Sequence, residues 1–180
     1  MRILFVVHQF FPEFHSGTES VTLRLAKSAQ QAGHKVEVLT PLITQRVDPS
    51  WHVDEATGFY QYRFDNIAVT AIKRSDIPDS ADYSLATHDP LVEKISKYLV
   101  SGQFDCCHVM HSMRMASAVK AIADNNIPYI LTITDFFLPC YRVNLVNMSG
   151  QPCEGPNNGQ RCLSDCSSNE WDSSALGQRT

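Results

Sequence analysis

The 180-residue sequence has no run approaching the ~20 apolar residues that a membrane-spanning helix needs. It has no basic excess either. With 15 Lys and Arg against 19 Asp and Glu, the net charge is −4, which excludes a general attraction to nucleic acid or to an anionic membrane. Its opening is expected to be a strand and not a leader. One Arg precedes a very short apolar run, and no small-residue cleavage site comes before Pro12 and Glu13, so Met1–Phe11 reads as a core strand. The first turn lacks G-x-G-x-x-G, which argues against an NAD-type oxidoreductase. There is no internal repeat.

What remains is a composition of 43% hydrophobic and 19% charged residues, ordinary for a soluble globular chain. The length fits one domain, or one domain and part of another, with a real core. The stretch Met1–Gly33 organises the chain. Arg2–Val7 is a continuous apolar run, as in a strand covered on both faces. His8–Gly17 is a loop carrying Pro12. From Thr18 the period becomes helical, and Val21, Leu25, Ala29 and Ala32 are expected on the apolar face. Gly33 is placed to stop the helix in a left-handed cap. His34–Thr40 alternates as a second strand, completing a right-handed βαβ unit.

Further along, Gly58–Phe64 and Ile67–Lys73 flank Asp65-Asn66 as a hairpin, after an irregular stretch from Pro41 to Thr57. Asp89-Pro90 supplies an N-cap and a first-turn proline for a helix carrying Leu91, Ile95, Tyr98 and Leu99 and ending at Gly102. Phe104–Met110 is the next strand. Ser112 is the expected cap of a helix closed by Asn125-Asn126, and Ile127–Thr134 is a further strand. The order predicts an α/β fold: a Rossmann-like doubly wound parallel sheet with an inserted β-hairpin and a Cys-rich C-terminal segment.

Six cysteines are present. Cys106 and Cys107 lie in an apolar run and read as small buried hydrophobes. Cys140, Cys153, Cys162 and Cys166 crowd into a polar segment that has no apolar core of its own. Four thiolates suit a closed tetrahedral zinc site, structural and not catalytic. The spacing C-x12-C-x8-C-x3-C departs from the usual C-x2-C knuckle, and two disulfides, an iron–sulfur cluster or unpaired thiols are the alternatives.

Candidate site residues follow from the topology, because open α/β sheets bind ligands beyond the carboxyl ends of their strands. His8, His111 and Asp135 follow three such ends. His108 lies within a strand and reads as structural. Ser16, Gly17, Thr18 and Glu19 form the turn into the first helix. There, backbone N–H groups either face a bound phosphate or acceptor, or belong to a plain N-cap with Glu19 on the helix dipole.

Several segments carry a family resemblance. The N-terminal 40 residues are similar to the opening of group 1, or family 4, glycosyltransferases of the GT-B fold. The matching positions are His8, Pro12, Gly17, Glu19, Arg24, Leu25, Ala26, Gly33, His34, Val36, Val38 and Thr40. Ser16 stands where the family usually has a first glycine. FDCCHVMHSM resembles the family's D-V-V-H-x-x-H-L strand end, and IPYILTITDFF resembles I-P-x-V-x-T-x-H-D-F-W, with Thr134 where His is common.

The resemblance implies a retaining transfer of a sugar from a nucleotide-sugar to a glycan or glycoconjugate acceptor, with no catalytic metal. It makes His111 and Asp135 the catalytic candidates and His8 and Ser16–Glu19 the substrate-binding ones. It divides the chain into an acceptor-side domain, 1–139, and a Cys-rich segment, 140–180, leading to a missing C-terminal domain. The family's donor-site motifs, G-x-x-R-x-E-K and E-x7-E, are not in the sequence, so the chain alone is expected to be inactive and to bind nucleotide-sugar poorly. A cytoplasmic location is expected, with peripheral association at the inner face of the membrane. The rival reading is a non-catalytic Rossmann- or flavodoxin-like binding module.

Overall fold

The computed structural model describes residues 1–44, 47–81, 84–140 and 142–166. The tail of the Cys-rich segment, 167–180, lies outside the described residues. Seven strands form one sheet: β1 (Arg2–Val6), β2 (Lys35–Pro41), β3 (His52–Val53), β4 (Tyr60–Phe64), β5 (Ile67–Ile72), β6 (Cys106–Val109) and β7 (Tyr129–Leu131). Three α-helices accompany them: α1 (Gly17–Gln31), α2 (Asp89–Gly102) and α3 (Ala116–Asp124).

The spatial order is β3-β4-β5-β2-β1-β6-β7. From β5 to β7 every pairing is parallel, whereas β4 runs antiparallel to β5 and β3 antiparallel to β4. The expected hairpin is therefore present, but β5 is also a full member of the parallel sheet, pairing with β2 from Glu37–Ala68 to Pro41–Ile72. Its turn residues Asp65 and Asn66 both have positive φ, 49° and 66°, as a two-residue turn matched to strand twist requires. Strand β3 lies in the stretch whose sequence reads as irregular. Two residues carry too little periodicity to reveal a strand.

Alternation along β1 sorts the core into two layers. Leu4 and Val6 face α2 and α3, together with Leu39, Ile95, Leu99, Val109 and Ile122. Phe5 and Val7 face α1, with Val38, Val69 and Ala26. Helices thus cover both faces, as the sequence predicts for a doubly wound sheet.

The face of α1 differs from expectation. Val21 and Leu25 are 45% and 40% exposed, whereas Glu19, Thr22 and Ala26 are buried. Close helix–sheet packing is made by the small Thr22 and Ala26, flanked by the partly buried Leu23 and Ala29. Reading the largest apolar residues as the inner stripe rotates the helix by roughly a quarter turn. Gly33 does end the helix in the left-handed region, φ 87°, with His34 N–H donating to the Ala29 carbonyl at 3.1 Å.

Two caps also move. His88, not Asp89, is the N-cap of α2, and the chain leaves that helix through a left-handed Gln103. Met115 is the N-cap of α3, while Ser112 forms the preceding turn through its carbonyl. Cys107 is buried as expected. Cys106 is only half-buried, on the alternate side of an outer strand pair.

Candidate active site at the carboxyl edge of the sheet

Strands β1 and β6 are parallel neighbours in the register Val6–Val109, so the residues two places beyond, His8 and His111, emerge side by side. Their rings lie 4.1 Å apart between centroids at 38°. Strand β7 adds Asp135. His111 Nδ1 accepts the Met113 backbone N–H at 3.1 Å, which places the ring proton on Nε2, where it is donated to Asp135 Oδ2 at 2.7 Å. The other carboxylate oxygen of Asp135 accepts the Phe137 N–H at 2.8 Å. The His111 side chain is 3% exposed and that of Asp135 32%. Both nitrogens of His111 are committed, so the imidazole is a fixed donor and Asp135 is the member that solvent can reach. His111, Thr132, Thr134, Asp135 and Phe137 line a cavity of about 10 Å³, room for about one water.

His8 is held neutral. Burial is the main cause, and the positive charges that His111 and Arg114 can carry add to it, while Asp135 opposes them; the pKa falls to about 3. Its Nδ1 is buried without a hydrogen-bond partner, and its Nε2 lies 4.0 Å from Glu19 Oε1, too far for a direct bond.

Glu19 is fully buried. Its Oε2 receives the Ser16 backbone N–H at 2.7 Å and the Ser16 hydroxyl at 2.5 Å, closing the N-terminal turn of α1. Its Oε1 has no partner. Glu19 therefore shapes the turn from inside, and Ser16 and Gly17 form its exposed outer surface. Gly17 has no positive φ, and a Cβ added there would meet nothing within 4 Å. Its value at this position is open space above the backbone of the first helical turn, not turn geometry.

Two residues that sequence reasoning passed over complete the edge. Glu13 receives the backbone N–H groups of Ile43 and Thr44 at 3.0 and 3.1 Å, tying the loop after β1 to the loop after β2. Arg114, at φ 61° in the loop between β6 and α3, brings a cation within electrostatic range of His8. A single charged residue in a loop carries no periodic signal, and only the fold brings it to the edge. His108, by contrast, is structural as its place in β6 predicts, its Nε2 lying 2.7 Å from Thr132 Oγ1.

The Cys-rich segment stands apart from this edge. All six cysteines are unpaired thiols. Burial raises the pKa of Cys162, and the neighbouring sulfurs of Cys166, Cys153 and Cys140 raise it further, so the four thiols are gathered in one region. Among the described residues, however, no three His, Cys, Asp or Glu side chains are arranged to hold a metal ion. The expected closed zinc centre is thus not formed. Cys153, Cys162 and Cys166 instead line a cavity of about 280 Å³, wider than an ion's coordination shell.

Residues 15–146 match Glycosyltransferase Family 4. The chain belongs to this family. No curated protein matches it. Among solved structures, it is similar to the catalytic domain of starch synthase IV from Arabidopsis thaliana bound to ADP and acarbose, with 13% sequence identity and a TM-score of 0.40. That alignment covers 72% of this chain, which spans only 32% of the starch synthase chain. In this family 4 chain the matched region runs from α1 through β7 and contains the Ser16–Glu19, His111 and Asp135 positions of the edge, with β1 and His8 lying before it. No helix among the described residues is long and apolar enough to cross a membrane.

Proposed function

We propose that this chain is the acceptor-side half of a retaining glycosyltransferase that moves a sugar from a nucleotide-sugar to a glycan or glycoconjugate. The observation that carries this reading is the convergence of His8, His111, Asp135 and the exposed first turn of α1 on one edge of a family 4 sheet. Asp135 is the residue assigned to the reacting region. Its partly exposed carboxylate accepts a hydrogen bond from an acceptor hydroxyl and orients it. His111 holds that carboxylate by its Nε2–H and is assigned the face toward the transferred sugar. His8 and the Ser16–Thr18 turn contribute a neutral ring and N–H groups to the substrate's polar rim.

The donor nucleotide is assigned mainly to a second domain carrying the phosphate-binding cations, so this chain alone is expected to be inactive. The setting we assign is the cytoplasm, with peripheral association at the inner face of the membrane.

The test is an assay of the full-length enzyme against a panel of nucleotide-sugars and acceptors, with the product's anomeric configuration read by NMR. Transfer with the donor's anomeric configuration kept supports the proposal. Inversion overturns the retaining assignment. The absence of transfer across the panel, together with tight saturable nucleotide-sugar binding by residues 1–180 alone, overturns the division of labour.

A further inference from the structure

The amino ends of the parallel strands carry a charged groove that sugar transfer does not use. Side chains two apart on a strand share a face. Leu4 and Leu39 point toward α2 and α3, so Arg2, Lys35 and Glu37 lie on that same face. Glu37 is in register with Ala68, and Ala68 with Arg63, which extends the row to β4. Arg2, Lys35, Glu37 and Arg63, with Gln30 and Phe104, line one cavity of about 320 Å³. A second cavity of about 350 Å³ continues it past Gln61 and Thr70. Arg2 opens β1 and His8 follows its other end, so this groove lies about 20 Å along the strand from that ring.

The charges in the groove do not cancel. Arg2, Lys35 and Arg63 have no carboxylate partner for their side chains among the described residues. Asp105 Oδ2 accepts the Arg2 backbone N–H at 2.6 Å, not its guanidinium. Glu37 turns one oxygen into the protein, where Oε1 accepts the Tyr98 hydroxyl at 2.7 Å and the Thr70 hydroxyl at 2.5 Å. Three cations thus share a groove with one carboxylate, in a chain whose net charge is −4. The cations are also held in place. The Arg2 guanidinium lies over the Phe104 ring, 5.7 Å from its centroid. Arg63 donates to the Asn66 carbonyl at 2.7 Å, in the turn between β4 and β5, and Gln30 donates to the same carbonyl at 3.4 Å. The Arg2 Nε–H is buried with no hydrogen-bond partner. An unpaired buried donor is costly, and like charges gathered in a concavity repel until an anion enters.

We propose that this groove binds a phosphate monoester, the phosphoryl group of a small soluble polyol or sugar. The planar fork of arginine meets two phosphate oxygens at once, whereas lysine supplies a point charge on a flexible stem. Arg2 and Arg63 approach the phosphoryl group from two sides of the row, and Lys35 stands between them. The Arg2 Nε–H gains its missing acceptor. The Glu37 carboxylate repels a bare dianion but accepts a hydroxyl of the same molecule, and Gln30 offers its amide beside it. The site is separate from the edge assigned to sugar transfer, and the inference stands independently of that activity.

The experiment uses the whole chain. Calorimetry is run with glycerol 3-phosphate, inorganic phosphate and glycerol, and amide shifts are followed by NMR. Glycerol 3-phosphate is expected to bind saturably at one site and more tightly than inorganic phosphate, and glycerol not to bind. Shifts should centre on Arg2, Lys35, Glu37 and Arg63 and spare Ser16–Glu19 and His111. Lys35 and Arg63 are exposed, so their substitution leaves the core intact. Lys35→Glu and Arg63→Glu should each weaken binding by at least about tenfold, and Arg63→Gln should act in the same direction. A thermal melt of each unliganded variant checks that it folds. Arg24→Glu makes the same charge change at an exposed position of α1, on the other face of the sheet, and should leave binding unchanged. Absence of saturable binding overturns the proposal. An equal loss in Arg24→Glu does so too, since it shows diffuse charge attraction, as do shifts centred on Ser16–Glu19. Equal affinity for the two phosphates overturns the hydroxyl contacts assigned to Glu37 and Gln30. Binding to phosphatidylcholine vesicles that carry phosphatidic acid, with none to glycerol 3-phosphate, assigns the phosphoryl group to a lipid and overturns the soluble ligand.

Discussion

His111 donates its Nε2 proton to Asp135 across 2.7 Å, from the end of β6 to the end of β7. The bond divides the pair's labour. His111 has no free nitrogen, since Nδ1 already accepts the Met113 N–H, and Asp135 carries the reachable charge. In the proposed full-length transferase Asp135→Asn is therefore expected to lower kcat by about 10²- to 10⁴-fold. His111→Gln, whose amide nitrogen approximates the reach of Nε2, should lower it less and raise KM for the acceptor. Equal losses from both changes would contradict this division, and steady-state kinetics with varied acceptor checks it.

His8 makes stability depend on acid. Its pKa is about 3 when folded and near 6.5 when unfolded. Between those values the unfolded chain binds a proton that the folded chain refuses, so stability falls as pH drops below 6.5 and the loss ends near pH 3. The slope is at most about 1.4 kcal/mol per pH unit. His8→Gln, with no titrating ring, should flatten that limb by about one proton in urea melts between pH 7 and 5. An unchanged slope would show that His8 is solvated and charged in the folded state.

Gly17 faces open space, so a side chain there fits the fold but fills the edge. Gly17→Val should change unfolding free energy by no more than about 1 kcal/mol, because the residue lies at the first position of α1. Acceptor or donor binding in the full-length enzyme should fall by at least about tenfold. Calorimetry and a thermal melt separate the two effects.

The orientation of α1 has its own test. Leu25 is exposed and Ala26 fully buried. Leu25→Glu is expected to stay within about 0.5 kcal/mol of wild type. Ala26→Leu, which forces a larger side chain between helix and sheet, should cost about 1–3 kcal/mol. The reverse ranking in denaturant melts would restore the stripe through Val21 and Leu25.

Much of the fold was legible in local pattern. The continuous apolar runs of β1 and β6, the Asp65-Asn66 turn and the Gly33 cap each act within a few residues, where periodicity and turn chemistry dominate. The site was legible as separate points. His8, His111 and Asp135 could be placed at strand ends, but the contact of His111 with Asp135 spans 24 positions, that of His8 with His111 spans far more, and both depend on β1, β6 and β7 being neighbours. The inner face of α1 was misread because its contacts are made by the small Thr22 and Ala26. Hydrophobic size is a poor guide where a helix must approach a sheet closely.

The sequence alone determined the doubly wound α/β architecture, the strand ends that could bear chemistry and the four-cysteine segment. Each is written in the order of residues along the chain. Only the tertiary structure decided which of those residues meet. It turned Glu19 inward to brace Ser16, left His8 neutral beside His111, and gave Asp135 the exposed carboxylate. Parallel pairing of β1 with β6, and of β6 with β7, is what brings them within reach, because adjacent strands in register lie only about 4.8 Å apart.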